Sequence, residues 1–123
     1  MLLVVEDDKE MRSLLCDELW DIGLHIVEAD DGDEALERIA EQRPDLILTD
    51  LRMPAGGLDY VARLRVMAPG CPIILMTAFG DSQTKSEAVR AGVAAYFDKP
   101  VHMSELKQAI KATLAHKTGT SGA

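Results

Sequence analysis

Five short aliphatic runs alternate along the chain with longer stretches whose apolar residues recur at helical spacing. The runs lie at residues 2–5, 25–29, 46–49, 73–76 and 95–97. Helical spacing is clearest after the first run, at Met11, Leu14, Leu15, Leu19 and Ile22. Because runs such as Leu46-Ile47-Leu48 are uninterrupted by polar residues, we expect strands that are buried on both faces. The pattern therefore predicts an α/β fold with a parallel sheet, helices on both sides and right-handed crossovers.

Length and composition limit this architecture to one compact domain. The 123 residues have room for one core, which we place at 1–117, with 118–123 as a flexible tail or the start of a linker. Thirteen basic against 21 acidic residues give a net charge of −8, which disfavours direct nucleic-acid binding and favours cations or basic partner surfaces. No apolar stretch is long enough to span a membrane and no leader is recognisable, so we expect a cytoplasmic protein without membrane contacts.

Several residue types that often carry chemistry are expected to have only structural roles here. Cys16 and Cys71 are far apart and form no CxxC pair, which favours reduced cysteines without a metal. Trp20, at the end of the first predicted helix, is expected to be a packing residue. Three dispersed histidines are expected to be surface or structural residues: His25, His102 and His116.

Polar residues follow four of the five aliphatic runs directly. They are Glu6-Asp7-Asp8 after the first run, Asp50 after the third, Thr77 after the fourth and Asp98-Lys99-Pro100 after the fifth. In an open parallel sheet the ligand site lies beyond the carboxyl ends of the strands, so these side chains are expected to converge on one edge. The sequence therefore predicts several carboxylates, one hydroxyl and one lysine in a single site.

Carboxylates packed this closely repel one another unless a cation neutralises them. A hard divalent ion with oxygen ligands suits the set, and Mg²⁺, held by one or two carboxylates with a phosphate completing its shell, fits better than Ca²⁺. A carboxylate beside such an ion can act as a nucleophile toward phosphorus, and Asp50, at the end of the central predicted strand, is the best candidate. Lys99 would add positive charge and Thr77 a hydrogen-bond donor.

Together these residues resemble the receiver domain of two-component response regulators over residues 2 to about 116. The resemblance depends on five signals in the right order, namely Leu3-Val4-Val5-Glu6-Asp7-Asp8 with Arg12, Asp50, Met53-Pro54, Thr77-Ala78 and Lys99-Pro100. It implies a flavodoxin-like doubly wound (βα)5 fold, with five parallel strands in the order 2-1-3-4-5 and helices on both faces.

The resemblance also assigns the acidic site. Asp50 would be the aspartate that a sensor histidine kinase phosphorylates from its phosphohistidine in the presence of Mg²⁺, for which Mn²⁺ could substitute. Asp7 would be a direct metal ligand, Glu6 a ligand through water, and the backbone carbonyl of Arg52 a further ligand. Asp8 would then be a helix cap.

Further residues match the family's switching apparatus. Thr77 resembles the hydroxyl that moves to the phosphoryl group, and Lys99 resembles its salt-bridge partner. Lys99-Pro100 matches a bond that the family usually holds in cis. Tyr96 occupies the position of the aromatic switch, which turns inward when the hydroxyl moves.

The chain departs from the family pattern after Met53-Pro54. The family commonly has two residues and then Asp-Gly-Leu, whereas this chain has Ala55-Gly56-Gly57-Leu58, one residue shorter and without that aspartate. A differently shaped loop is therefore expected after Asp50. The run from Leu48 to Pro54, together with Phe79-Gly80-Asp81, is most similar to receivers of the nitrogen-regulation type.

The resemblance implies a signalling module that catalyses only its own phosphorylation and dephosphorylation, so it is not an enzyme in the usual sense. Its expected partners are a sensor histidine kinase or phosphotransfer protein and an output domain or effector. The sequence leaves undecided whether the domain also forms a homodimer through the fourth and fifth helices and the fifth strand. Three alternatives are a metal-dependent aspartyl-phosphate phosphohydrolase, a flavodoxin-like cofactor binder, and a receiver-like module that signals by binding alone. The first normally has an acidic residue where Arg52 stands, and the second needs a phosphate cradle where Glu6-Asp7-Asp8 stands.

Overall fold

The computed structural model describes residues 1–78 and 81–122, with side chains described to residue 116. Within them lie five strands: β1 (Leu2–Val5), β2 (Ile26–Ala29), β3 (Leu46–Asp50), β4 (Ile73–Thr77) and β5 (Ala95–Asp98). Five α-helices alternate with them: α1 (Lys9–Leu19), α2 (Gly32–Glu41), α3 (Leu58–Met67), α4 (Ser82–Arg90) and α5 (Met103–Gly122). A short 3-10 turn at Trp20–Ile22 follows α1.

The strands form one parallel sheet in the order β2-β1-β3-β4-β5. This confirms the doubly wound α/β fold predicted from the sequence. Because β1 lies between β2 and β3, the chain reverses its direction of winding there, and the carboxyl ends of β1 and β3 border the crevice in which such folds place their ligands.

Two hydrophobic clusters, one on each face of the sheet, account for the continuously apolar strands. In β1, Leu3 and Val5 contribute to the cluster that buries α2, α3 and α4, whereas Leu2 and Val4 contribute to the cluster that buries α1 and α5. Every residue of β1, β3 and β4 is buried. The side-chain period of two therefore sends alternate residues into different cores, and this arrangement holds the strand ends rigidly at the site.

The boundaries of the elements differ from the prediction in a way that bears on function. The strands β3, β4 and β5 include Asp50, Thr77 and Asp98 as their last residues, so these polar residues belong to the sheet ladder: Asp50 pairs with Met76 and Thr77 with Asp98. The sequence prediction ended these strands at Thr49, Met76 and Phe97. The backbone hydrogen bonds carry each one residue further.

Trp20 is not the packing residue that the sequence predicted, because 74% of its surface is exposed. The α-helix ends at Leu19, and the 3-10 turn that follows changes the helical spacing. Leu19 consequently stays buried while the next side chain points to solvent.

Three further expectations concern the ends of elements or residues outside the described part. The backbone of α5 continues through 118–122, and the assignment of 118–123 as a tail or linker stays a prediction. The nitrogen-regulation motif includes Phe79 and Gly80, which lie outside the described residues. Within the described ranges, no helix combines the length and the apolar character that crossing a membrane requires.

Candidate functional site

The carboxyl ends of β1, β3, β4 and β5 bring together the residues predicted from the sequence. Glu6, Asp50 and Thr77 are buried, whereas Asp7 is exposed. Lys99 follows β5 and reaches across β4 to the other strands. The residues converge because each follows or ends a parallel strand of the same sheet.

Lys99 connects two of these carboxylates. Its ammonium Nζ lies 2.9 Å from Asp50 Oδ2 and also donates to Glu6 Oε1. Burial acts to lower the pKa of Lys99, but the hydrogen bonds to Glu6 and Asp50 outweigh it and raise the pKa. The lysine is therefore held in its charged form between two acidic groups.

Asp50 is fixed by a donor on each of its carboxylate oxygens. Lys99 donates to Oδ2, and the backbone N–H of Arg52 donates to Oδ1 at 3.2 Å. The second contact depends on the chain turning directly after β3, so the loop that begins at Leu51 orients the carboxylate. The side chain of Asp50 is thus aimed at the crevice rather than left to rotate.

Carboxylate oxygens of Glu6, Asp7 and Asp50 all lie within 4.8 Å of one another. Three carboxylates against the single ammonium of Lys99 leave excess negative charge in a mostly buried place. Oxygen donors of this kind suit a hard divalent cation, so these residues fit the Mg²⁺ site that the sequence predicted. The fit rests on donor chemistry and spacing alone.

Asp8 does not belong to this cluster. Its side chain accepts hydrogen bonds from the backbone N–H groups of Glu10 and Met11 and so caps α1, as predicted. Arg12 holds the same segment from the other side, because its Nη1 donates to the carbonyl of Glu6 at 2.7 Å. These contacts fix the backbone on either side of Asp7.

Glu6 is the most strongly perturbed acid of the site. Burial raises its pKa to about 7, although hydrogen bonds from Lys99 and from the Asp8 N–H act to lower it. Because the folded-state pKa exceeds the ordinary value of 4.5, the folded protein binds more protons than the unfolded chain between about pH 4.5 and pH 7. The stabilisation is complete below this range and is lost as the pH rises through it.

We therefore expect wild-type protein to lose stability, relative to a Glu6→Gln variant, as the pH rises from about 4.5 to about 7 in the absence of divalent ions. The expected relative loss is on the order of 2 kcal/mol. Urea unfolding of both proteins across this pH range measures the relative loss. The other acids are present in both proteins, so their contribution cancels in the difference. A difference that does not change with pH would contradict the assignment.

Thr77 and Tyr96 lie on the β4–β5 side of the site. Thr77 is buried, and its backbone carbonyl accepts a hydrogen bond from the Lys99 N–H at 2.8 Å. The Tyr96 hydroxyl is buried and has no hydrogen-bond partner among the described residues, and burial raises its pKa. The Lys99–Pro100 peptide bond that follows is cis.

The shortened loop after β3 closes on itself. The N–H of Gly57 donates to the carbonyl of Leu51 at 2.8 Å, and that of Gly56 donates to the carbonyl of Met53 at 3.0 Å. Gly56 is required by close approach, since an added Cβ would lie 2.5 Å from the Leu51 carbonyl oxygen. Ala55 has a positive φ of 57°. The loop after β3 is therefore a compact turn with its own backbone hydrogen bonds.

Two residues that sequence reasoning missed also contact this region. Thr49 and Tyr60 are buried, their hydroxyl oxygens lie 2.9 Å apart, and the Thr49 hydroxyl donates to the backbone carbonyl of Asp50. Neither residue belongs to the motif that carried the family resemblance. Their spacing of 11 residues spans a strand end, a loop and a helix start, so no periodic signal connects them.

Comparisons with known proteins point to the same family that the sequence resembles. The profile of the family described as "Response regulator receiver domain" matches residues 2–111. The two-component response regulator PhoP of Pseudomonas aeruginosa is 39% identical over 120 residues, which cover 96% of this chain and 53% of that protein. Sporulation initiation phosphotransferase F of Bacillus subtilis is 30% identical, with 95% of each chain covered. This chain spans about half the length of the PhoP and PhoB proteins that it matches.

Solved structures give the same result. The receiver domain of NtrX from Brucella abortus superimposes with a TM-score of 0.84 at 26% identity, covering 94% of this chain and 98% of that one. A CheY-like receiver domain protein from Methanospirillum hungatei superimposes with a TM-score of 0.91 and covers 97% of this chain and 96% of that one. At 24% identity, the second likeness bears on the fold alone.

Proposed function

Since this chain belongs to the response regulator receiver family and is a signalling domain of the two-component type, we propose that Asp50 is its phosphoryl acceptor. The observation that carries the proposal is the position of the Asp50 carboxylate, which is held between the Lys99 ammonium and the Arg52 N–H beside two further acids. A carboxylate fixed in this way has lost the rotational freedom that would otherwise slow its attack on phosphorus.

In the proposed step an oxygen of Asp50 attacks the phosphorus of a phosphohistidine. The new O–P bond forms as the N–P bond breaks, and the departing imidazole takes up a proton. Lys99 offsets the negative charge that gathers on the transferring group. Water later attacks the acyl phosphate and restores the carboxylate, so the domain turns over no substrate other than its own phosphoryl group.

A divalent cation completes this chemistry. The carboxylates of Asp7 and Asp50 and the backbone carbonyl of Arg52 would hold Mg²⁺, or Mn²⁺ in its place, and Glu6 would act on it through water. When bound, the ion neutralises the acids and the phosphoryl oxygens. The three clustered carboxylates support this assignment by their charge and spacing.

Thr77 and Tyr96 are proposed to convert phosphorylation into a change of surface. The added phosphoryl oxygens would accept a hydrogen bond from the Thr77 hydroxyl, and Tyr96 would rearrange as Thr77 moves. An unpaired buried hydroxyl is destabilising by about 1–3 kcal/mol, so the Tyr96 hydroxyl, which has no partner among the described residues, supports a second, better satisfied arrangement. The surface affected would be formed by α4, β5 and α5.

The partners follow from this chemistry. The donor would be a sensor histidine kinase or a phosphotransfer protein, and the receiver of the signal would be an output domain or a separate effector. Several relatives are transcriptional regulators about twice the length of this chain, which supports an output domain in a longer protein. A homodimer through α4, β5 and α5, a cytoplasmic location and the lack of direct nucleic-acid contact remain part of the proposal.

Phosphoryl uptake is expected to require both Asp50 and Mg²⁺. Incubation with acetyl phosphate should add the mass of one phosphoryl group to wild-type protein in Mg²⁺, and none to an Asp50→Asn variant or after chelation. Asp59→Asn, which changes an exposed acid of α3, is the matched control and should take up phosphoryl like wild type. Intact-mass spectrometry measures all four samples. Equal uptake by the Asp50→Asn variant would overturn the assignment of the acceptor.

A further inference from the structure

A chain of buried hydrogen bonds leads from α3 to the backbone of Asp50. The Tyr60 hydroxyl lies 2.9 Å from Thr49 Oγ1, and Thr49 Oγ1 lies 2.8 Å from the carbonyl oxygen of Asp50. Thr49 is fully buried and Tyr60 is 3% exposed. Burial strengthens these hydrogen bonds and makes an unpaired hydroxyl unfavourable, so the hydrogen-bond chain is well defined.

The donor and acceptor roles along this hydrogen-bond chain follow from the number of hydroxyl protons available. Thr49 has one hydroxyl proton, and a carbonyl oxygen can only accept, so that proton is donated to Asp50. The Tyr60 hydroxyl must then be the donor to Thr49 Oγ1. Burial raises the pKa of Tyr60, which keeps its proton in place as a donor at any ordinary pH.

The carbonyl at the end of this chain belongs to a peptide unit that is also held at its other end. The N–H of Leu51, in the same planar unit, donates to the carbonyl of Met76 at 3.0 Å. The next N–H, that of Arg52, donates to Asp50 Oδ1. Rotation of this peptide unit would move the Asp50 side chain and the Arg52 backbone together, and both belong to the proposed site.

Tyr60 is itself fixed by the elements around it. It lies in the first turn of α3, and its ring contacts the start of α2, where a Cβ added at Gly32 would lie 3.1 Å from the ring atom Cδ1. The N–H of Gly32 donates to the carbonyl of Pro54 in the loop after β3. The ring of Tyr60 is therefore held between α3, to which it belongs, and the start of α2.

We propose that Tyr60, acting through Thr49, is a positioning residue that sets the orientation of the Asp50 carboxylate for phosphoryl transfer. The inference rests on the proposed function and deepens it. Tyr60 does not touch the phosphodonor, the cation or the reacting oxygen. Its effect is confined to the fraction of time that Asp50 spends in the productive orientation.

Removing either hydroxyl is expected to slow phosphorylation at saturating donor by about fivefold, the equivalent of one net hydrogen bond. The variants are Tyr60→Phe and Thr49→Val, and the donor concentration for half-maximal rate should not change because neither residue contacts the donor. The double variant should be no slower than either single variant, since the two hydroxyls act as one chain. Thr49→Ser keeps the hydroxyl and should restore the wild-type rate.

The matched control is Thr113→Val, which removes a hydroxyl-to-carbonyl hydrogen bond within α5, from Thr113 to Ala109. Thermal unfolding of each variant gives the folded fraction for which the rates are corrected. If the corrected rates of Tyr60→Phe and Thr49→Val equal those of wild type and Thr113→Val, the hydrogen bonds of Tyr60 and Thr49 have only a structural role and the inference is wrong.

A second readout separates this failure from a failure of the proposed function. Wild-type protein that takes up no phosphoryl group contradicts the acceptor role of Asp50 but leaves its orientation measurable by Mg²⁺ titration. The amide shifts of residues 6–8 and 50–52 should give an Mg²⁺ dissociation constant about threefold weaker in Tyr60→Phe and Thr49→Val than in wild type and Thr113→Val. Equal constants would overturn the positioning role.

Discussion

Replacing Lys99 by methionine is expected to lower the free energy of unfolding by about 3 kcal/mol at pH values above neutral, because the buried acids Glu6 and Asp50 lose the ammonium that offsets their charge. The Lys99 side chain is 19% exposed, so it is partly solvated, but both of its acidic partners are buried. Methionine fills a similar volume, so the loss reports charge rather than a cavity. Urea unfolding at about pH 7.5 measures it.

The loss should depend on both pH and Mg²⁺. Without Lys99, the pKa of Glu6 should rise above its wild-type value of about 7, so the variant binds a proton at a pH where wild type has lost it, and the difference in stability should narrow as the pH falls toward about 7. Mg²⁺ should stabilise Lys99→Met more than wild type, since the ion would supply the missing positive charge. Phosphoryl uptake by Lys99→Met should also be slower than in wild type, because no ammonium offsets the negative charge on the transferring group.

Lys107→Met is the control for this prediction. Lys107 pairs with Asp21 on the surface, where solvent screens the interaction, so its loss should be far smaller and insensitive to Mg²⁺. Equal effects of the two substitutions would mean that the Lys99 pair stabilises the site no more than a surface pair does. That result would contradict the role of Lys99 in offsetting the charge of two buried acids.

Gly32→Ala is expected to have an effect of similar size, a loss of about 3 kcal/mol in the free energy of unfolding. An added Cβ would lie 1.9 Å from the carbonyl oxygen of Ala55, which is backbone and cannot rotate away as a side chain would. Either α2 or the loop after β3 must move, and the hydrogen bond from Gly32 to Pro54 would be broken. Phosphoryl uptake should slow as well, because that loop carries Arg52.

Gly70→Ala separates this steric effect from the general effect of adding a methyl group. Gly70 has a positive φ of 80°, but nothing lies within 4 Å of an added Cβ. Its substitution should therefore lower stability by only about 1 kcal/mol and leave phosphoryl uptake unchanged. If Gly32→Ala proved as mild as Gly70→Ala, the contact between α2 and the loop would not be as tight as the structure has it.

The fold was largely predictable because burial on both faces shapes the three inner strands β1, β3 and β4, whereas the edge strands β2 and β5 are only partly buried. Apolar runs of strand length such as 2–5 and 46–48 are compatible with few other arrangements, and alternation with helices requires parallel pairing. The strand order was not contained in periodicity and came from the family resemblance. The ends of β3 and β4 were missed by one residue because backbone hydrogen bonding continues past the last apolar side chain.

The site was predictable where its residues adjoin strand ends and was missed where contacts join distant segments. Glu6, Asp50 and Lys99 converge because each follows or ends a parallel strand, and the carboxyl ends of these strands lie at the same edge of the sheet. The pairing of Thr49 with Tyr60 depends on how α3 leaves a loop of unusual length, which no local pattern encodes. The exposure of Trp20 likewise depends on a 3-10 turn that the helical spacing did not signal.

The most direct test of the central claim is to locate the phosphoryl group. Protein treated with acetyl phosphate and Mg²⁺ can be reduced with borohydride, which converts an aspartyl phosphate into homoserine and releases phosphate. Peptide sequencing by mass spectrometry then identifies the reduced residue. We predict homoserine at position 50 alone, and only when Mg²⁺ was present. Homoserine at another aspartate, or a phosphoryl group found on a histidine instead, would contradict the assignment of Asp50 as acceptor.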